Sequence, residues 1–100
     1  MRDLTIDLGE RSYPIRIGSG LLGDTTAVGP LVEAREALIV SDENVAPRYL
    51  AALERGLAGR RLARLVLPAG ETHKTLATAA RVLDALVEAR MHRDACVIAL

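Results

Sequence analysis

Ala37-Leu38-Ile39-Val40, closed at once by the polar turn Ser41-Asp42-Glu43-Asn44, is the stretch that decides the fold of this 100-residue chain. An uninterrupted apolar run bounded by turn residues is the pattern of a strand buried on both faces, as in a parallel sheet. Leu65-Val66-Leu67 and Cys96-Val97-Ile98-Ala99-Leu100 repeat it downstream. Between the first two runs, Pro47 at a first-turn position precedes Tyr49, Leu50, Leu53 and Leu57 at helical spacing, and Gly56 or Gly59 can end that helix. Between the second and third, Leu76, Ala79, Ala80, Leu83, Leu86 and Val87 form one apolar stripe, with Arg81, Asp84 and Glu88 largely opposite. The order β-α-β-α-β implies right-handed crossovers and an α/β fold with a Rossmann-like parallel sheet.

Upstream the pattern has period two. Leu4, Ile6 and Leu8 alternate with Thr5 and Asp7, and after Gly9-Glu10-Arg11-Ser12 the alternation resumes at Tyr13, Ile15 and Ile17. Two such runs across a short glycine-containing turn predict a β-hairpin ahead of the parallel sheet. A short helix is expected over Leu21 to Val28, ended by Gly29-Pro30. Gly18-Ser19-Gly20-Leu21-Leu22-Gly23 matches G-x-G-x-x-G literally, with Asp42 about 20 residues further on. The dinucleotide fingerprint, however, needs a buried parallel strand before it and a full helix after it. Here a hairpin strand precedes and Gly29-Pro30 soon intervenes, so a structural turn is the better reading.

Thirteen basic residues balance thirteen acidic ones, which leaves no net field to draw the chain to nucleic acid or an anionic membrane. Half the residues are hydrophobic but only 2% are aromatic, so the core must be built from Ala, Val, Leu and Ile. No apolar run approaches the roughly 20 residues of a membrane span. The lone Cys96 has no partner for an internal disulfide, and Met1 leads into Arg2 and Asp3 rather than a signal-peptide core, so a cytoplasmic location is expected. Because a buried strand stops at Leu100 with no turn or polar tail after it, residues 1–100 are read as a truncated piece of a longer domain.

In open α/β sheets, ligands bind beyond the carboxyl ends of the strands. Two loops meet that condition: Ser41-Asp42-Glu43-Asn44 and Pro68-Ala69-Gly70-Glu71-Thr72-His73-Lys74. A carboxylate at a strand end can accept from both vicinal hydroxyls of a ribose, which makes Asp42 and Glu71 candidates. Gly70 permits close backbone approach, Lys74 offers a cation, and the backbone N–H groups entering the next helix favour anions. The alternative is that these are solvated turn and helix-start residues, where Asp, Glu and Thr are common anyway. His92 falls at the end of a predicted helix, where a cation suits the carbonyl ends, and His73 is a lone loop histidine. Cys96 reads as a small core hydrophobe. No set of His, Cys and carboxylates at ligand spacing and no nucleophile-base pair is visible, so neither a metal site nor a catalytic residue is assigned within the chain.

Three segments taken together carry a resemblance: Leu8-Gly9-Glu10-Arg11-Ser12-Tyr13-Pro14-Ile15, Ser41-Asp42-Glu43-Asn44-Val45-Ala46-Pro47, and Leu67-Pro68-Ala69-Gly70-Glu71-Thr72-His73-Lys74-Thr75-Leu76. In this order they resemble the 3-dehydroquinate synthase family, over essentially all of the chain. The resemblance implies a longer protein, with residues 1–100 as the amino-terminal part of an NAD-binding α/β domain. A mostly helical domain for metal and substrate would follow, absent from this chain. In that family the strand matching Asp94 to Leu100 is followed by a glycine-rich pyrophosphate loop.

The implied activity is that of a lyase of the shikimate route to chorismate and the aromatic amino acids. It converts 3-deoxy-arabino-heptulosonate 7-phosphate, a small sugar phosphate, to 3-dehydroquinate and phosphate through transient oxidation by NAD. The resemblance also implies a divalent metal, zinc or cobalt, and a homodimer. By match to the family motif, Asp42 and Asn44 correspond to residues near the adenosine part of NAD, and Ala69, Gly70, Glu71, Thr72, His73 and Lys74 to a second cofactor-contacting loop. Ala69 departs from the acidic residue often found there, which leaves that contact to the backbone, and His73 occupies a variable position. A related sugar-phosphate cyclase, a metal-dependent polyol dehydrogenase and a non-catalytic nucleotide-binding module stand as alternatives.

Overall fold

The computed structural model describes residues 2–70 and 75–100. It opens with an antiparallel pair, β1 (Arg2–Ile6) and β2 (Tyr13–Ile17), in a register running from Arg2↔Ile17 to Ile6↔Tyr13. The connecting 3-10 turn, Gly9–Arg11, is tied by Ser12, whose Oγ accepts from the Leu8 N–H at 2.8 Å, and by Asp7, which accepts from the Gly9 N–H at 3.2 Å. Leu8, expected as the last inward residue of the first strand, lies instead in this turn and is exposed. A two-stranded ribbon has little core of its own. Arg16 anchors it by donating to the Ala27 carbonyl at 2.9 Å.

The parallel sheet follows as expected from the apolar runs. Its strands are β3 (Glu36–Asp42), β4 (Arg61–Leu67) and β5 (Cys96–Ala99), in the order β4-β3-β5. β3 pairs with β4 from Glu36↔Arg61 to Asp42↔Leu67, and with β5 from Ala37↔Cys96 to Val40↔Ala99. β4 begins earlier than its apolar run, because exposed Arg61 and Arg64 flank half-buried Leu62 and Ala63.

Helix α2 (Ala46–Gly56), with Pro47 in its first turn, lays Ala46, Leu50 and Leu53 against Ile39, and Leu57 closes the cluster. Leu38, Ile39 and Leu57 are fully buried. Burial of such a side chain stabilises by about 1.5 to 3 kcal/mol, so this layer is the centre of the fold. Leu22, Val28 and Val32 cover it from the preceding segment. Arg60 fastens that segment through its NH2 to the carbonyls of Gly29 and Val32 at 2.8 and 2.7 Å.

Two helices differ from expectation. The helix expected over Leu21 to Val28 is a single turn, α1 (Thr25–Val28), because Asp24 caps it by accepting the Thr26 N–H at 2.9 Å. The helix does end at Gly29-Pro30 as expected, with Gly29 as its C-cap, and the chain continues as a 3-10 turn to Leu31. Helix α3 (Leu76–Glu88) forms where expected, capped by Thr75, but is rotated. Thr78, Val82, Ala85 and Leu86 are its half-covered residues, whereas Leu76, Leu83 and Val87 are 91%, 63% and 76% exposed. The helix is apolar on most of its circumference, so period alone did not determine which side meets the sheet.

Candidate functional site

Strands β4 and β5 lie on opposite sides of β3, so right-handed crossovers put α2 and α3 on opposite faces of the sheet. The chain therefore leaves the carboxyl end of β3 toward one face and that of β4 toward the other. Such a divergence opens a crevice between the two strand ends, the usual ligand position in this class of sheet.

The two sequence-predicted loops meet at that crevice. Asp42 and Leu67 are register partners at the strand ends, and the Glu43 N–H donates to the Leu67 carbonyl at 2.9 Å, one step beyond the ladder. Asp42 turns one carboxylate oxygen, Oδ1, back to accept the N–H groups of Asn44 at 2.9 Å and Val45 at 2.8 Å. This satisfies donors at the entry to α2, where no intrahelical acceptor exists. Its Oδ2 has no hydrogen bond among the described residues and can accept from a ligand hydroxyl. Asn44 is exposed beside it. From the other loop, the Ala69 N–H donates to Glu43 Oε1 at 3.3 Å, and Gly70 holds φ at 106°, a conformation side chains rarely allow. Glu71, Thr72, His73 and Lys74 lie outside the described residues.

Below this rim, Ser41 is buried at 5% exposure, and its hydroxyl has no hydrogen-bond partner among the described residues. Glu43 was not singled out by spacing, although it stands between two residues that were. Its role depends on a contact across 26 positions. No group of three or more His, Cys, Asp or Glu among the described residues could hold a metal ion. The described residues thus fit one hydroxyl-bearing part of a cofactor but offer no seat for a divalent metal.

The glycine-fingerprint segment lies elsewhere. It borders a shallow depression of about 350 Å³ with Tyr49, Ala52 and Arg55. An antiparallel hairpin strand precedes it and a four-residue helix follows, so neither structural requirement of the fingerprint is met. Gly20 takes φ 69°, which explains a glycine in that turn without a ligand.

The histidine and cysteine readings also change. His92 lies past the end of α3 rather than on it, and its backbone N–H and ring Nδ1 bind Glu36 at 3.0 and 2.6 Å. Arg61 meets the other oxygen of Glu36 at 2.7 Å and also reaches the Ala89 carbonyl. This cluster joins the amino ends of β3 and β4 to the α3–β5 connection, at the opposite end of the sheet from the crevice. Cys96 is half-buried on an edge strand, not enclosed in the core.

No family model matches the chain. Among curated proteins, it is 46% identical over all 100 residues to 3-dehydroquinate synthase of Pseudomonas fluorescens strain SBW25. The enzyme of the same name from Azotobacter vinelandii is 46% identical, and that from Methylococcus capsulatus 45% identical, each over the whole chain. The chain spans about a quarter of the length of these relatives, 27% in the first case. Among solved structures, it overlays 2-deoxy-scyllo-inosose synthase complexed with carbaglucose-6-phosphate, NAD+ and Co2+ with a TM-score of 0.80. That match covers 96% of this chain and 27% of the other at 17% identity, which shows a shared fold. The chain therefore resembles 3-dehydroquinate synthase along its whole length and has a Rossmann-like α/β fold.

Proposed function

We propose that residues 1–100 form the amino-terminal part of the NAD-binding domain of a 3-dehydroquinate synthase. The observation that carries this reading is the 46% identity to a named synthase across every residue of the chain, including both loops of the crevice. The 17% identity to the inosose synthase favours the dehydroquinate reaction over a related cyclase.

In this reading the longer protein is a cytoplasmic lyase of the shikimate route and a homodimer. It takes 3-deoxy-arabino-heptulosonate 7-phosphate to 3-dehydroquinate and phosphate, with transient oxidation supplied by bound NAD. Zinc or cobalt is held by residues outside those described here, in a mostly helical second domain. Within this chain, Asp42 receives ribose hydroxyls on Oδ2 and Asn44 lies along the adenosine. Ala69, Gly70, Glu71, Thr72, His73 and Lys74 form a second cofactor-contacting loop. Residues 1–100 bind and orient, and the acid, base and metal ligands come from the rest of the longer protein.

The test is isothermal titration of NAD into the full-length protein and its Glu71→Ala variant. A charge-assisted bond to a ribose hydroxyl contributes about 1.5 to 3 kcal/mol, so a roughly ten-fold or greater loss of affinity is expected. An unchanged dissociation constant would remove Glu71 from the site. A full-length protein that binds no NAD, or releases no phosphate from the heptulosonate, would overturn the whole reading.

A further inference from the structure

We propose that Glu43 is a positioning residue of the crevice, one that holds the chain at Ala69, just after β4, in the place that receives the dinucleotide. This rests on the reading above, that the two loops bind NAD, and adds what keeps them in register. The backbone of Glu43 is fixed by the sheet, because its N–H bond to Leu67 at 2.9 Å extends the β3–β4 ladder past the Asp42↔Leu67 pair. From that fixed point Oε1 accepts the Ala69 N–H at 3.3 Å. Beyond the ladder the loop after β4 has no neighbouring strand to pair with, so this amide depends on a side chain or on water. A carboxylate acceptor makes the bond charge-assisted.

Asp42 cannot serve in the same way, since its Oδ1 is committed to Asn44 and Val45 of its own loop. Among the described residues, Glu43 makes the only side-chain hydrogen bond that spans the two loops. Its effect on a ligand is indirect. A loop already held in its bound form loses less freedom when the ligand arrives, and affinity rises without a new contact.

The experiment compares the full-length protein with its Glu43→Ala, Glu43→Gln and Glu43→Asp variants. NAD titration, steady-state kinetics and amide hydrogen exchange at Ala69 are measured for each. Glu43→Ala is expected to weaken NAD binding about five-fold through lost preorganisation and to speed exchange at Ala69. The loss should appear in KM for NAD, with kcat at saturating NAD within about two-fold. Glu43→Gln keeps an oxygen acceptor at the same reach and should restore most of both properties. Glu43→Asp, one methylene short, should behave like the Ala variant and replaces it if that variant fails to fold. If wild type binds NAD and both short variants bind it equally well, the positioning role is overturned and the NAD reading stands. Weaker binding without faster Ala69 exchange indicates a direct ligand contact and also overturns it. A wild type that binds no NAD removes the reading on which the proposal depends.

Discussion

The backbone of Leu22 passes Gly56 so closely that a methyl group on Gly56 would overlap the Leu22 carbonyl oxygen. Gly56 is the last residue of α2, and Leu22 packs against the core cluster, so this approach fixes the long connection before β3 onto the helix. The obstacle is backbone rather than the end of a flexible side chain. Gly56→Ala is therefore expected to destabilise by about 3 kcal/mol, the upper end of ordinary overpacking costs. Urea denaturation followed by circular dichroism measures it. An unmoved midpoint would mean that the 18–24 segment retreats freely and is not docked on α2.

Glu36 sets a pH dependence of known sign. The His92 backbone N–H, then the His92 ring, then Arg61 stabilise its ionised form and hold its pKa at about 2, against 4.5 for an ordinary glutamate. A carboxyl whose pKa is depressed by folding contributes stability that is fully present above the unfolded value and is lost as pH falls through the folded one. Stability should therefore decline between about pH 4.5 and 2, the window set by that shift. Glu36→Gln should flatten the decline while lowering stability at neutral pH. A variant whose midpoint tracks wild type through that window would show that the cluster does not couple to folding.

The parallel sheet was legible because its three apolar runs leave no alternative partner for their side chains, and the hairpin because period two holds over Leu4 to Ile6 and Tyr13 to Ile17 on either side of a glycine-containing turn, although it also drew Leu8 into the first strand. What pattern could not supply was orientation. α3 carries apolar residues on nearly every side, and of the stripe that looked inward in the sequence Leu76, Leu83 and Val87 face solvent while Leu86 is half-covered. Both crevice loops were found from the rule that ligands sit at strand ends, yet the Glu43–Ala69 bond and the Glu36–His92 bond join residues 26 and 56 positions apart. No local spacing encodes such contacts. Gly56 was read as a helix stop, whereas the structure adds a close approach by Leu22.

Asp42 has two duties that substitution can separate. Its Oδ1 satisfies donors at the entry to α2, while Oδ2 is the oxygen proposed to meet the ribose. Asp42→Ala should lose both, costing about 1 kcal/mol of stability as capping removals do and weakening NAD binding in the full-length protein. Asp42→Asn retains an acceptor for the α2 turn but not the charge, so it should keep stability and still bind NAD less well. Thermal denaturation paired with NAD titration decides the matter. Wild-type affinity in the Asn variant would show that the carboxylate charge is not used by the cofactor.

Leu83 and Val87, adjacent on α3 at helical spacing, are 63% and 76% exposed, and Val97 on the neighbouring edge strand is 50% exposed. A contiguous apolar surface of this kind promotes association, and the backbone of an edge strand adds unpaired donors and acceptors. The double variant Leu83→Lys, Val87→Lys removes little buried area, keeps good helix formers and places cations near the carbonyl end of the helix. In the 100-residue chain it should leave the unfolding midpoint within about 0.5 kcal/mol of wild type, as surface substitutions usually do, and reduce self-association. Light scattering across a concentration series gives the second quantity. If the variant unfolds, Leu83 and Val87 belong to the core after all. Unchanged scattering would locate the association surface elsewhere.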